Sequence, residues 1–85
     1  MKIIYSPNFA RKYKKLPKAV KREAEKKEVV FRKNTFNKSL KTHKLHGRLK
    51  DFWAFSIARD YRMVFEFGEN NTVYFLTVGD HKIYE

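Results

Sequence analysis

The segment "VGDHKIYE" at residues 78–85 places an aspartate, a histidine, a lysine and a tyrosine close together. His81 and Tyr84 come just after a strand-like run, "TVYFLTV" (72–78), at a spacing that a solvated tail does not require. A third capable side chain, Arg62, lies in "YRMVFEF" (61–67). There Tyr61, Met63, Phe65 and Phe67 share one face, and Arg62, Val64 and Glu66 share the other. A core on the first face leaves Arg62 on an open one. Antiparallel pairing of the two runs brings the end of the later beside the start of the earlier, and so His81 and Tyr84 near Arg62. An arginine, a histidine and a tyrosine around one pocket suit cleavage of an RNA phosphodiester. One group takes the 2′-OH proton, the cation stabilises the crowded phosphorane, and another group protonates the leaving 5′-oxygen. The nucleophile belongs to the substrate, so this chemistry calls for no metal and no cofactor. Singly, each residue has a plainer reading: Arg62 paired with Glu66, His81 filling the sheet end, Tyr84 pinning the tail. Their combination on one very basic chain favours the chemical reading.

The chain carries a formal charge of +11 in 85 residues, and the charge is unevenly spread. Residues 1–50 hold 17 Lys and Arg against 3 acids, whereas residues 51–85 hold 3 against 6. Basic residues crowded between Arg11 and Lys50 repel one another unless something screens them, which points to a polyanion on one surface. Lys14, Lys18, Lys41, Lys44, Arg48 and Arg59 are the candidate contacts to RNA phosphates. The hydrophobic and aromatic fractions, 42% and 16%, predict a packed core, and the length predicts a single domain over residues 1–85. The absence of cysteine leaves no disulfide framework and suits the cytoplasm. No apolar run approaches the ~20 residues a membrane helix needs, and the start "MKIIYSPNF" is too short and polar for a signal peptide.

These residues need elements to hold them. "KIIYS" (2–6) reads as a strand. Ser6 can cap a helix and Pro7 can take its first position. Phe9, Tyr13 and Leu16 then fall on one helical face, and Pro17 divides this helix from a second, over about residues 17–33. Val20, Ala24, Lys27 and Phe31 line a stripe on the second helix, flanked by Ala19, Glu23 and Val30. Its charges, Lys27 and Glu23, predict a surface helix packed on one side. From residue 34 to 51 periodicity fails, leaving a long basic connection with apolar pegs at Phe36, Leu40, Leu45 and Leu49. Three β-rich runs follow, with turns at Arg59-Asp60 and Gly68–Asn71. The expectation is an α+β fold, β-α-α-β-β-β, with two N-terminal helices packed on one face of an antiparallel sheet and the other face open. The first strand joins as an outer strand. Trp53, Phe55 and Ile57 belong to the core; Phe52 or Tyr61 are the candidates to stack a base. His43 and His46 have the spacing of half a metal site but no cysteine or acid beside them, so no metal is expected.

The stretches "HKLHGRLKDFWAFSIARDYRMVFEF" and "VYFLTVGDHKIYE", with the opening "SPNFARKYKKLPK", resemble the RelE/ParE superfamily of type II toxin–antitoxin toxins. The resemblance covers nearly the whole chain. It implies a RelE-like fold and a cognate antitoxin as partner. In the RelE branch it also implies cleavage of messenger RNA, usually on the ribosome. It places the family's strand arginine at Arg62, the C-terminal histidine of YoeB-like and YafQ-like members at His81, and the terminal aromatic at Tyr84. His43 and Asp60 match the histidine and aspartate of YafQ-like members. Ala54 and Ser56 stand where RelE carries alternating lysines, and the acidic general base of YoeB has no counterpart unless His46 or Lys50 replaces it. Two alternatives share these features: a ParE-like poison of DNA gyrase, and a basic module that holds nucleic acid without cutting it.

Overall fold

The computed structural model describes residues 1–80, so His81 and Tyr84 lie outside the described residues. Strand β1 (Lys2–Tyr5) leads into helix α1 (Pro7–Lys14). Ser6 caps that helix, accepting a hydrogen bond from the Phe9 N–H at 3.0 Å, and Pro7 takes the first helical position. Helix α2 (Lys18–Lys33) starts directly after Pro17 and buries Ala24 and Phe31. Strands β3 (Trp53–Ala58), β4 (Tyr61–Phe67) and β5 (Thr72–Asp80) form the expected meander. Its turns fall at Arg59-Asp60 and around Asn70 and Asn71. Both asparagines sit in the left-handed region, at φ 55° and 56°, which asparagine tolerates better than most residues.

The sheet departs from expectation in two ways. A two-residue strand, β2 (His43–Lys44), adds to the outer side of β3, giving the order β1-β5-β4-β3-β2. It is too short to show a period in the sequence. The sheet is also mixed: β1 runs parallel to β5, while the other pairs are antiparallel. The end of β1 is also tied to β5. The Ser6 N–H donates to the Phe75 carbonyl, and the Ser6 hydroxyl and the Asn8 amide both donate to the Leu76 carbonyl. Between Val64/Thr77 and Phe65/Phe75 the β4–β5 register slips, so β5 carries one extra residue there. Such a bulge leaves a carbonyl unpaired by the ladder, and α1 docks onto it.

The main core lies between the sheet and the helices. Phe31 is fully buried, stacked on Phe55 at 4.8 Å between ring centroids and edge-on to Phe65 at 4.9 Å. Phe9, Ile57, Met63, Val73 and Val78 complete it. Trp53 and Tyr61, both half-buried, pack against its margin. The opposite face is not wholly open, as it was expected to be. Leu45, Ala54 and Val64 form a second small core, with Leu49, Phe52 and Leu76 packed against it. The connection folds back to make it: Gly47 turns at φ 67°, a short 3-10 helix (Gly47–Leu49) follows, and the Leu45 N–H closes the loop on the Phe52 carbonyl at 2.9 Å. Phe52 is thereby committed to packing.

Candidate active site

Alternation in β4 sends Met63 and Phe65 to the main core and Arg62 to the helix-free face, as the sequence predicts. Arg62 pairs in register with Ser56 on one side and Gly79 on the other. Two of the smallest residues therefore flank it, leaving room for a ligand above the row. Tyr61 pairs with Asp80, which brings the end of β5 beside the start of β4. Arg62 donates from Nη1 to the carbonyls of Tyr61 (3.1 Å) and Arg59 (3.4 Å), which fold it toward the β3–β4 turn. Among the described residues it makes no ion pair; Glu66 is not its partner.

One row along the same face, His43, Ala54, Val64 and Thr77 stand side by side across β2 to β5. His43 thus shares the face with Arg62, two strands and one row away, about 12 Å between backbones by ordinary sheet spacings. Its Nδ1–H donates to the Lys41 carbonyl at 2.9 Å, which leaves Nε2 as the outward nitrogen. His46 lies beside Arg48 in a second recess lined by Leu45 and Leu49, of about 250 Å³. Asp60 is exposed in the β3–β4 turn, and Lys50 is exposed after the 3-10 helix. The structure brings together Arg62 and Arg59, sets His43 on their face, and leaves His46, Lys50 and Asp60 at its edges. No group of three His, Asp or Glu residues among the described residues could hold a metal ion, and no described helix is long and apolar enough to cross a membrane.

The candidate RNA-binding cations fall in three places. Lys14 and Lys18 are at the corner between the helices, and Lys44 and Arg48 are on the folded-back connection. Lys41 and Arg59 line a cavity of about 290 Å³ that Arg62 also borders. Glu23 and Lys27 from α2 and Ser56 from β3 also line it. The sequence shows Glu23 and Lys27 only as charges diluting an apolar stripe, so it could not place them beside Arg62.

The family model described as "ParE toxin of type II toxin-antitoxin system, parDE" matches residues 3–83. The chain belongs to this toxin family. No curated protein is significantly similar in sequence. Among solved structures the toxin fold is shared with YafQ from E. coli strain BL21(DE3), at TM-score 0.79 and 19% identity, covering 96% of this chain and 94% of that one. A YoeB/ParE toxin from Agrobacterium tumefaciens superposes at TM-score 0.79 and 15% identity, over 95% and 99% of the two chains. YafQ in the E. coli DinJ-YafQ toxin–antitoxin complex superposes at TM-score 0.76 and 20% identity, over 95% and 92%. At these identities the structural likeness is one of fold.

Proposed function

We propose that this toxin is a metal-independent endoribonuclease that cleaves messenger RNA on the ribosome, in the cytoplasm, and is held inactive by a cognate antitoxin. The observation that carries the reading is Arg62. It is a permanently charged fork on the helix-free face, flanked by Ser56 and Gly79, with only backbone carbonyls for partners among the described residues. A cation so placed can stabilise a phosphorane as the 2′-OH attacks. His81 and Tyr84 follow Asp80 in sequence, and Asp80 is paired beside the start of β4. In this reading His81 is the general acid, and Tyr84 is the base or an orienting group. A histidine with an ordinary pKa of ~6.5 can exchange protons near neutrality, whereas a tyrosine at ~10 needs nearby cations to do so. The antitoxin follows from the family and from the DinJ-YafQ complex of the same fold.

The test is single-turnover cleavage on ribosomes programmed with a defined message, with end-group analysis. The expected product carries a 2′,3′-cyclic phosphate and a 5′-hydroxyl. Arg62→Ala should slow cleavage by roughly 10²–10³, by analogy with losing one oxyanion donor. His81→Gln and Tyr84→Phe should each slow it without unfolding the chain. A 5′-phosphate product, or full activity in all three variants, contradicts the mechanism. The match to the ParE model favours a second reading, a poison of DNA gyrase. Wild-type protein that leaves RNA intact and inhibits gyrase would establish that reading instead.

A further inference from the structure

Helix α2 turns Ala24 and Phe31 into the core, yet Glu23 and Lys27 interrupt the same half-buried side. Charges there need a reason, because apolar residues would bury more favourably. Glu23 and Lys27 are spaced i, i+4 for an ordinary helix-surface pair, but the Glu23 carboxylate turns instead to Lys26, at 3.8 Å. Lys27 is left without an ion pair among the described residues and lines the cavity at the outer edge of β3. Lys41, which ends a short 3-10 helix (Lys38–Leu40) in the left-handed region at φ 53°, lines the same cavity. Arg59 and Arg62 close the other side, so four cations meet one carboxylate around the cavity. They repel one another unless an anion sits between them.

Neutral donors are also present. Strand β2 pairs with β3 only at Trp53 and Ala54, so the outer edge of β3 from Ser56 to Ala58 has no strand partner among the described residues. Ser56 lines the same wall. About 290 Å³ lies at the lower end of ligand-site volumes, enough for a phosphate and part of its nucleoside. The fitting chemistry is a phosphate group, carried by an RNA strand or by a free nucleotide. Arg62 decides between them, because it borders both the cavity and the helix-free face. A strand with its reacting phosphate at Arg62 continues into the cavity.

We propose that this cavity is a phosphate subsite holding the RNA strand beside the cleavage point, with Lys27 and Lys41 as its principal contacts. The proposal rests on the RNA-cleaving reading, but its test does not need cleavage. The full chain is titrated with a 2′-O-methyl RNA heptamer, which binds but has no nucleophile, and separately with inorganic phosphate and with a mononucleotide. Anisotropy across a salt series gives the log–log slope, and amide NMR shifts locate the contact. Lys27→Gln with Lys41→Gln should reduce the slope by about 1.4, two single-strand phosphate contacts. Lys2→Gln with Lys12→Gln, an equal charge change elsewhere, should leave it unchanged, and arginine at positions 27 and 41 should restore it. If the Lys27 variant does not fold, Lys41→Gln alone should reduce the slope by about 0.7. Equal slopes for the two double variants would overturn the subsite. So would heptamer-induced shifts that avoid residues 39–41 and 56–59, or a cavity that takes phosphate or the mononucleotide but not the heptamer. An intact message in the ribosome assay, with the heptamer slopes as expected, would sink the nuclease reading and leave the subsite standing.

Discussion

Arg62 shows how far single residues can be read. Its face follows from alternation alone, because Met63 and Phe65 could only be core. Its surroundings follow only in part: Ser56 sits across the β3–β4 hairpin, but Lys27 and Lys41 line the same cavity from elements far apart in sequence. Arg62→Lys keeps the charge and loses the fork that the Arg59 and Tyr61 carbonyls orient. It should bind RNA with an unchanged salt slope and still lose most of the cleavage rate, measured in the ribosome assay. Val64 illustrates the opposite failure: it shares a face with charged neighbours in the sequence but is buried under the connection. Tyr5 carries a prediction about pH. Its hydroxyl donates to Glu28 Oε2 at 2.7 Å, and Arg32 holds the same carboxylate oxygen at 3.3 Å. Burial first, then the bond to Glu28 and its charge, raise the Tyr5 pKa above its ordinary 10.0. A raised folded-state pKa contributes stability that is full below the unfolded value and is lost as pH climbs through the folded one. Alkaline unfolding followed by circular dichroism should therefore lose a component above pH 10 in wild type, and Tyr5→Phe should lack it.

At the scale of elements, the two helices and the meander were legible because each carries its own signals. Ser6-Pro7 starts α1, Pro17 starts α2, and β-branched and aromatic runs with turn residues between them mark β3 to β5. The direction of β1 was not legible, since nothing within its four residues sets which strand it pairs with. Nor was β2, because two residues have no period. Ser6 couples these levels, accepting from the Phe9 N–H and donating to the Leu76 carbonyl. Ser6→Ala removes a helix cap and one of the two donors to the Leu76 carbonyl, leaving the Asn8 amide on it, so it should destabilise the fold by roughly 0.5–2 kcal/mol in denaturant titrations. Phe31 is the centre of packing between α2 and the sheet, touching Phe55, Phe65 and Phe75. Phe31→Ala should cost about 3–5 kcal/mol, a large share of the roughly 5–15 kcal/mol that holds a domain together. A variant still folding with wild-type stability would show that α2 is not clamped through this ring.

On the whole molecule, the charge asymmetry of the sequence becomes an asymmetry of layers. The helices and the connection carry the excess of lysine and arginine, while Glu66, Glu69 and Asp80 lie on β4, β5 and their turn. This was legible as a total and as a division along the chain. Which cations converge was not, because that depends on how the connection folds back. A cognate antitoxin that neutralises the basic layer should bury on the order of 1,200–2,000 Å² and associate more slowly as salt rises. Stopped-flow association across a salt series checks this. A salt-independent rate would mean that the antitoxin approaches through the aromatic surface of Phe36, Trp53 and Phe67 instead.

The extra residue in β5 has a consequence for how this fold tolerates length changes. Before it, odd-numbered side chains such as Val73 and Phe75 face the helices; after it, even-numbered Val78 does. Deleting Thr77 would make the strand regular without turning any core residue outward, and Gly79 would keep its place beside Arg62. The sheet would gain by the edit, whereas α1 would lose the carbonyl it is fastened to. Hydrogen exchange in the shortened chain should then quicken in α1 while β4 stays protected. The first helix is moored to an irregularity, and perfecting the strand would set it adrift.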